Sequence, residues 1–142
     1  MTGVSRKPAG HGSNAVAQRL QERGYEVYAI NPNATEIAGF KCYPNLTAIP
    51  GGVEAVVIGT RPEHGDTTMQ EVVKLGIPMV WMHRALDAGS VSETATKYGR
   101  ENGVLVIDGG CPLMFGKTSD GAHRFMCWFL SLTGKVPKTV LA

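Results

Sequence analysis

Residues 55–82 read AVVIGTRPEHGDTTMQEVVKLGIPMVWM, and the fold follows from how this stretch divides. Its two ends, 55–59 (AVVIG) and 78–82 (PMVWM), are short, apolar and nearly continuous. Such runs predict parallel strands buried on both faces, because a strand with one wet face would alternate polar and apolar residues. Between them, 62–75 opens with Pro62, sets Met69, Val72 and Val73 on one helical face and stops at Gly76. Strand, helix and strand in that order form the unit of a parallel sheet.

The alternation continues outward. Runs at 26–30 (EVYAI) and 104–107 (VLVI) predict two more strands. Helical spacing recurs at 14–23, with Val16 and Leu20 on one face, and at 91–102, with Ser90 as a candidate N-cap and Gly103 as a stop. The last helix, 122–132, carries Phe125, Met126, Trp128, Phe129, Leu130 and Leu132. It is apolar over too much of its circumference for a surface helix, so a core helix against the sheet or a subunit contact is expected. Residues 1–142 read as a single α/β domain, a doubly wound parallel sheet with helices on both faces. The first strand must precede the Gly3-Val4-Ser5 turn, which leaves it only residues 1–4. It is therefore very short, or completed by residues upstream.

Composition narrows the function. With 43% apolar and 18% charged residues, a chain of 142 buries a core and is not disordered. A net charge of +2 without a basic run gives no support to nucleic-acid or membrane-surface binding. No apolar stretch reaches the roughly 18 residues of a membrane span. The N-terminus lacks the apolar core of a secretory signal. Cys42, Cys111 and Cys127, odd in number and without CxxC spacing, suit a reducing cytoplasm, the expected location.

Ligands of doubly wound sheets lie at the carboxyl ends of the strands, near the switch in strand order. After the first strand, 3–14 (GVSRKPAGHGSN) leads into a helix. A glycine-rich turn before a helix suits phosphate, since free N–H groups and the positive end of the helix dipole face the anion. Gly3, Val4, Ser5, Arg6 and Lys7 are the candidates there, and Ser13 or Asn14 can cap the helix. The spacing matches neither GxGxxG nor a Walker loop. After the second strand come Asn31 and Pro32, where NAD-binding sheets carry an acid for the ribose hydroxyls. A neutral Asn31 with Lys41 downstream fits a phosphate-bearing ribose, as in NADP or coenzyme A. Thr60, Arg61 and Pro62 follow the third strand, Met82 and His83 the fourth, and Gly109-Gly110-Cys111 the fifth. His83 and Cys111 would share one rim, but no third group is placed to orient the histidine as a base. The four histidines lack metal-ligand spacing, so no metal is expected. No catalytic constellation declares itself.

The ordered segments 3–8 (GVSRKP), 24–32 (GYEVYAINP), 39–44 (GFKCYP), 49–58 (IPGGVEAVVI) and Gly110-Cys111-Pro112 resemble the small stand-alone CoA-binding domain proteins. That family is related to the CoA-binding domain of the succinyl-CoA synthetase α subunit. The likeness runs from Gly3 to about Met114. It implies a Rossmann-like domain with coenzyme A at the strand carboxyl ends. By position, Gly3, Ser5, Arg6 and Asn14 would hold phosphate, Asn31 and Pro32 would approach the nucleotide, and Lys41 would lie near the phosphates. Thr60, Arg61 and Pro62 would flank the ligand, with Met82 and His83 beyond. The synthetase relatives use a phosphorylated histidine from a further domain that these 142 residues do not hold, so acyl-CoA synthesis is not implied.

The expected function is binding of coenzyme A or an acyl-CoA without catalysis, as a sensor, carrier or regulatory module. The alternative is an NADP-dependent oxidoreductase or a fragment of one. A third reading is a structural subunit docking through its last helix, the same helix that would form a homodimer. Cys111 beside the CoA thiol would allow a mixed disulfide under oxidation.

Overall fold

The computed structural model describes residues 1–6, 12–84, 89–116, 119–134 and 136. Its elements are α1 (Gly12–Glu22), β1 (Ala29–Ile30), β2 (Glu36–Ile37), β3 (Phe40–Tyr43), β4 (Ala55–Ile58), α2 (Pro62–Leu75), β5 (Met79–Met82), α3 (Glu93–Glu101), β6 (Leu105–Asp108) and α4 (Gly121–Leu132). Turns of 3₁₀ helix occupy Leu46–Ala48 and Pro112–Met114.

β4, β5 and β6 pair in parallel with no slip in register, Ala55 facing Met79 and Met79 facing Leu105. β1 pairs in parallel with β3, and β2 closes the far edge antiparallel to β3. The N-terminal segment joins the two groups. Thr2 bridges Ile30 in parallel, Ile30 N donates to Met1 O at 2.9 Å, and Thr2 N donates to Val57 O at 3.0 Å. The strand order is therefore β2-β3-β1-Thr2-β4-β5-β6. The expected first strand is present as little more than one bridging residue.

Local chemistry accounts for the best-defined helix. Pro62 starts α2, and Gly76 ends it in the left-handed region at φ 67°, its N–H returned to Val72 O and Val73 O. α3 is shorter than 91–102, and its N-cap is Ser92, not Ser90. Ser92 Oγ accepts from Ala95 N at 3.1 Å and donates to Asp66 at 2.6 Å, whereas Ser90 is buried with its N–H bonded to His83 O. β1 covers only the last two residues of the run 26–30. The hairpin of β2 and β3 was not legible in the sequence.

Two packed clusters form the core. One lies between the sheet and α2 and α3, with Met69, Val72 and Ala95 against Val56, Ile58, Val80, Met82 and Val106. The other joins α1, α4 and the turn at Pro112 to Met1, Val4, Ala29 and Cys42. Helices thus lie on both sides of the sheet, as in a doubly wound fold, although α1 and α4 leave the second face of β4, β5 and β6 partly open. α4, however, is not the core helix that its composition suggested. Leu130 is its one fully buried residue, while Phe125, Trp128, Phe129 and Leu132 are 49–69% exposed. The helix packs by Met126, Cys127 and Leu130, and Phe125, Trp128, Phe129 and Leu132 lie outside the packed cluster.

Candidate functional site

Strand order reverses at Thr2, with β1 on one side and β4 on the other. A crevice opens at the carboxyl ends of strands at such a point. The backbone here is tight. A Cβ on Gly3, at φ 80°, would overlap the Gly59 carbonyl, and a Cβ on Gly59 would overlap Ser13 Oγ and stand 2.8 Å from Thr2 O. Glycine at both positions is what lets the two segments pass. Hydroxyls stitch them together. Thr2 Oγ1 accepts from Gly59 N at 3.1 Å and lies 3.4 Å from Thr60 Oγ1, while Ser13 Oγ donates to Gly59 O at 3.3 Å.

The loop after Thr2 is gripped from both sides. Asn14, buried in the first turn of α1, accepts from Ser5 N at 2.9 Å through Oδ1 and donates to Ser5 O at 2.8 Å through Nδ2. Asn31, just past β1, donates to Val4 O at 3.2 Å and accepts from Asn33 N at 2.9 Å.

Around this frame lie most of the residues singled out by the sequence. Arg6 is exposed at the end of the loop, and Lys7 falls outside the described residues. Arg61 is the exposed N-cap of α2 with no side-chain capping bond, and Pro62 is that helix's first residue. Segments 3–6 and 59–62 carry the exposed Arg6 and Arg61 and no acidic side chain, a balance that suits an anion, with Glu63 the next acid along α2. His83 meets the amino end of α1, its Cε1 standing 3.6 Å from where a Cβ on Gly12 would be. Pro32 is exposed beside Asn31. Met82 is placed differently: its side chain is fully buried, with Thr96 Oγ1 donating to the sulfur at 3.5 Å, so it offers a ligand only its backbone. Lys41 stands apart inside β3, its Nζ 5.2 Å from the Tyr43 ring centroid. Since Ile30 faces Tyr43, Lys41 lies two residues toward the amino end from the level of Ile30.

The site residues that sequence reasoning passed over are Thr2 and Gly59, and it read Ser13 only as a cap. A hydroxyl or glycine at the end of a strand run was the available signal. Cys111 is placed against the mixed-disulfide idea. It is 3% exposed, and burial pushes its thiol pKa up, away from the thiolate that exchange requires. Among the described residues, no cluster of three His, Cys, Asp or Glu could hold a metal ion. Among them too, no helix is long and apolar enough to cross a membrane.

Residues 1–117 match the family described as CoA binding domain. The chain belongs to the CoA-binding domain family. It is similar to the uncharacterised protein YneT of Bacillus subtilis, 29% identical over 107 residues that cover 75% of this chain and 76% of YneT. It is 34% identical over 77 residues to the ADP-forming acetate–CoA ligase II of Archaeoglobus fulgidus, a match that covers 53% of this chain and 11% of the ligase. A solved structure of a hypothetical protein from Pyrococcus horikoshii superposes with a TM-score of 0.67 at 31% identity, covering 74% of this chain and 70% of that one. The resemblance read from the ordered segments, and the Rossmann-like fold it implied, both hold.

Proposed function

We propose that this protein binds coenzyme A or an acyl-CoA in the crevice beside Thr2 and Gly59, as a sensor, carrier or regulatory module without catalysis of its own. The observation that carries the reading is the loop 3–6. In a chain of the CoA-binding family, it is already pinned at the strand switch point, with two exposed arginines at the mouth. Arg6 and Arg61 suit a pyrophosphate, and a neutral Asn31 suits a ribose that carries a phosphate. A buried Cys111 held in its thiol form supports binding over covalent chemistry. Free Cys42, Cys111 and Cys127 suit a reducing compartment, and we place the protein in the cytoplasm.

Calorimetric titration with CoA, dephospho-CoA, NAD and NADP tests the reading. CoA should bind best, dephospho-CoA more weakly, and Arg6→Ala or Arg61→Ala should each weaken CoA by about 1–3 kcal/mol. Binding of NADP alone would favour the oxidoreductase reading, and unchanged CoA affinity in both variants would remove Arg6 and Arg61 from the site.

The partner of α4 is proposed to be a second copy of the chain. Phe125, Trp128, Phe129 and Leu132 form one stripe at helical spacing, on the order of 500 Å² of apolar surface against the roughly 800 Å² per partner of a standard interface. Antiparallel pairing would set Arg124 of each helix near the negative carboxyl end of the other. Sedimentation should show a dimer that Trp128→Ser converts to a monomer; a wild-type monomer at high concentration would end this part of the proposal.

A further inference from the structure

Asn14 and Asn31 carry more than their places in the sequence suggested. Each was expected to touch the ligand, yet their amide groups are committed to the protein. A carboxamide has one donor and one acceptor face, the same pair that a peptide unit offers. Asn14 spends both on a single residue, accepting from Ser5 N at 2.9 Å and donating to Ser5 O at 2.8 Å. Asn14 is 8% exposed, so little water competes for these bonds. Asn31 grips the neighbouring residue through Val4 O, and Asn33 N occupies its own acceptor. Gly3, one residue earlier, is held against the Gly59 carbonyl.

We infer that Asn14 and Asn31 are positioning residues for the anion loop, two carboxamide pins that hold residues 4 and 5 in the ligand-ready shape before any ligand arrives. The inference rests on the proposed crevice and deepens it. Ser5 N–H, one of the backbone donors a phosphate loop would present, is already taken by Asn14. Among the described residues the anion is therefore left to Arg6, Arg61 and the amino end of α1. Asn14 belongs to that same helix end, so the pin ties loop and helix into one rigid seat. The position selects asparagine: aspartate keeps the acceptor for Ser5 N but sets an anionic oxygen against Ser5 O, and alanine keeps neither bond. Preorganisation of this kind raises affinity by removing the ordering cost from the binding step.

The test is a double-mutant cycle on the full chain, with CoA titration and amide hydrogen exchange as readouts. Asn14→Ala and Asn31→Ala should each lower CoA affinity about 10-fold or more. Because both act through one loop, the double variant should lose clearly less than the product of the single losses. In the ligand-free protein, Asn14→Ala should speed exchange of the Ser5 amide about 10-fold or more, which direct contact with a ligand would not do. Asn14→Leu, close in shape and without either bond, serves where the alanine variant fails to fold. Multiplicative losses with an unchanged Ser5 exchange rate would mean that the asparagines touch the ligand directly, and would overturn the inference, as would variants that bind CoA like the wild type. A wild type that binds no CoA would defeat the proposed function instead, with Ser5 exchange still reporting on the pin.

Discussion

The two faces of the parallel sheet are built from the same three strands and end up in different states. Toward α2 and α3, the side chains of Val56, Ile58, Val80, Met82 and Val106 are at most 1% exposed. On the opposite face, Val57, Trp81, Leu105 and Ile107 remain half-buried and Met79 is 42% exposed. They line an open groove of about 660 Å³ together with Met1, Leu20, Tyr25 and Pro112. Residues of both faces come from the same apolar runs, so strand composition does not decide which face closes. Helix placement does. α2 and α3 follow β4 and β5 directly and lie over one face, whereas α1 and α4 gather around Met1, Val4 and the turn at Pro112.

Two methionines of β5 put this contrast to the test, because they share a strand and a chemistry and point to opposite faces. Met82→Ala, on the closed face, should cost about 2–5 kcal/mol in denaturant unfolding, since it removes a fully enclosed side chain and leaves a cavity. A cost below 1 kcal/mol would mean that the α2 and α3 face is looser than its packing implies.

The next effect lies at the edge of the open face. The Met1 amine is buried, donates to Tyr28 O at 2.6 Å, and has its pKa lowered by burial from 8.0 to about 5. Between those values the unfolded chain binds a proton that the folded chain excludes, so stability should rise with pH from 5 to 8 and level off above. The full span is roughly 4 kcal/mol by linkage. Unfolding curves across that range check it, and acetylation of the amine should remove the slope.

The smallest change belongs to Met79→Ala on the open face, within about 0.5 kcal/mol. A loss comparable to that of Met82→Ala would show that the groove is covered in solution.

Legibility in the sequence followed the range of the forces involved. α2 was read to the residue because its signals are local: proline at the start, a left-handed glycine at the stop, an apolar stripe between. β4, β5 and β6 fell within a residue or two of the runs that announced them. The β2–β3 hairpin escaped notice because its turn holds Ala38 at φ 52°, a conformation an alanine shows only under the constraint of its surroundings. Ser90 and Ser92 are equally good caps in a sequence, and the bond from Ser92 to Asp66 on α2 distinguishes them. In the site, the glycine turn, Arg6, Arg61 and Asn31 were all visible, but the target of each asparagine was not.

What the sequence by itself determined is the four helices, the parallel strands apart from the β2–β3 hairpin, and the loops in which a ligand would be sought. Those depend on hydrophobic period, turn residues and caps, all of which act over a few neighbours. Tertiary structure alone decided that Thr2 stands between β1 and β4, that Gly3 and Gly59 pass within overlap of a side chain, that α4 turns its aromatic stripe outward, and that Asn14 and Asn31 hold the loop. Each of these depends on residues beyond the immediate neighbours in the chain, settled by which surfaces the helices cover and which polar groups they leave to be satisfied.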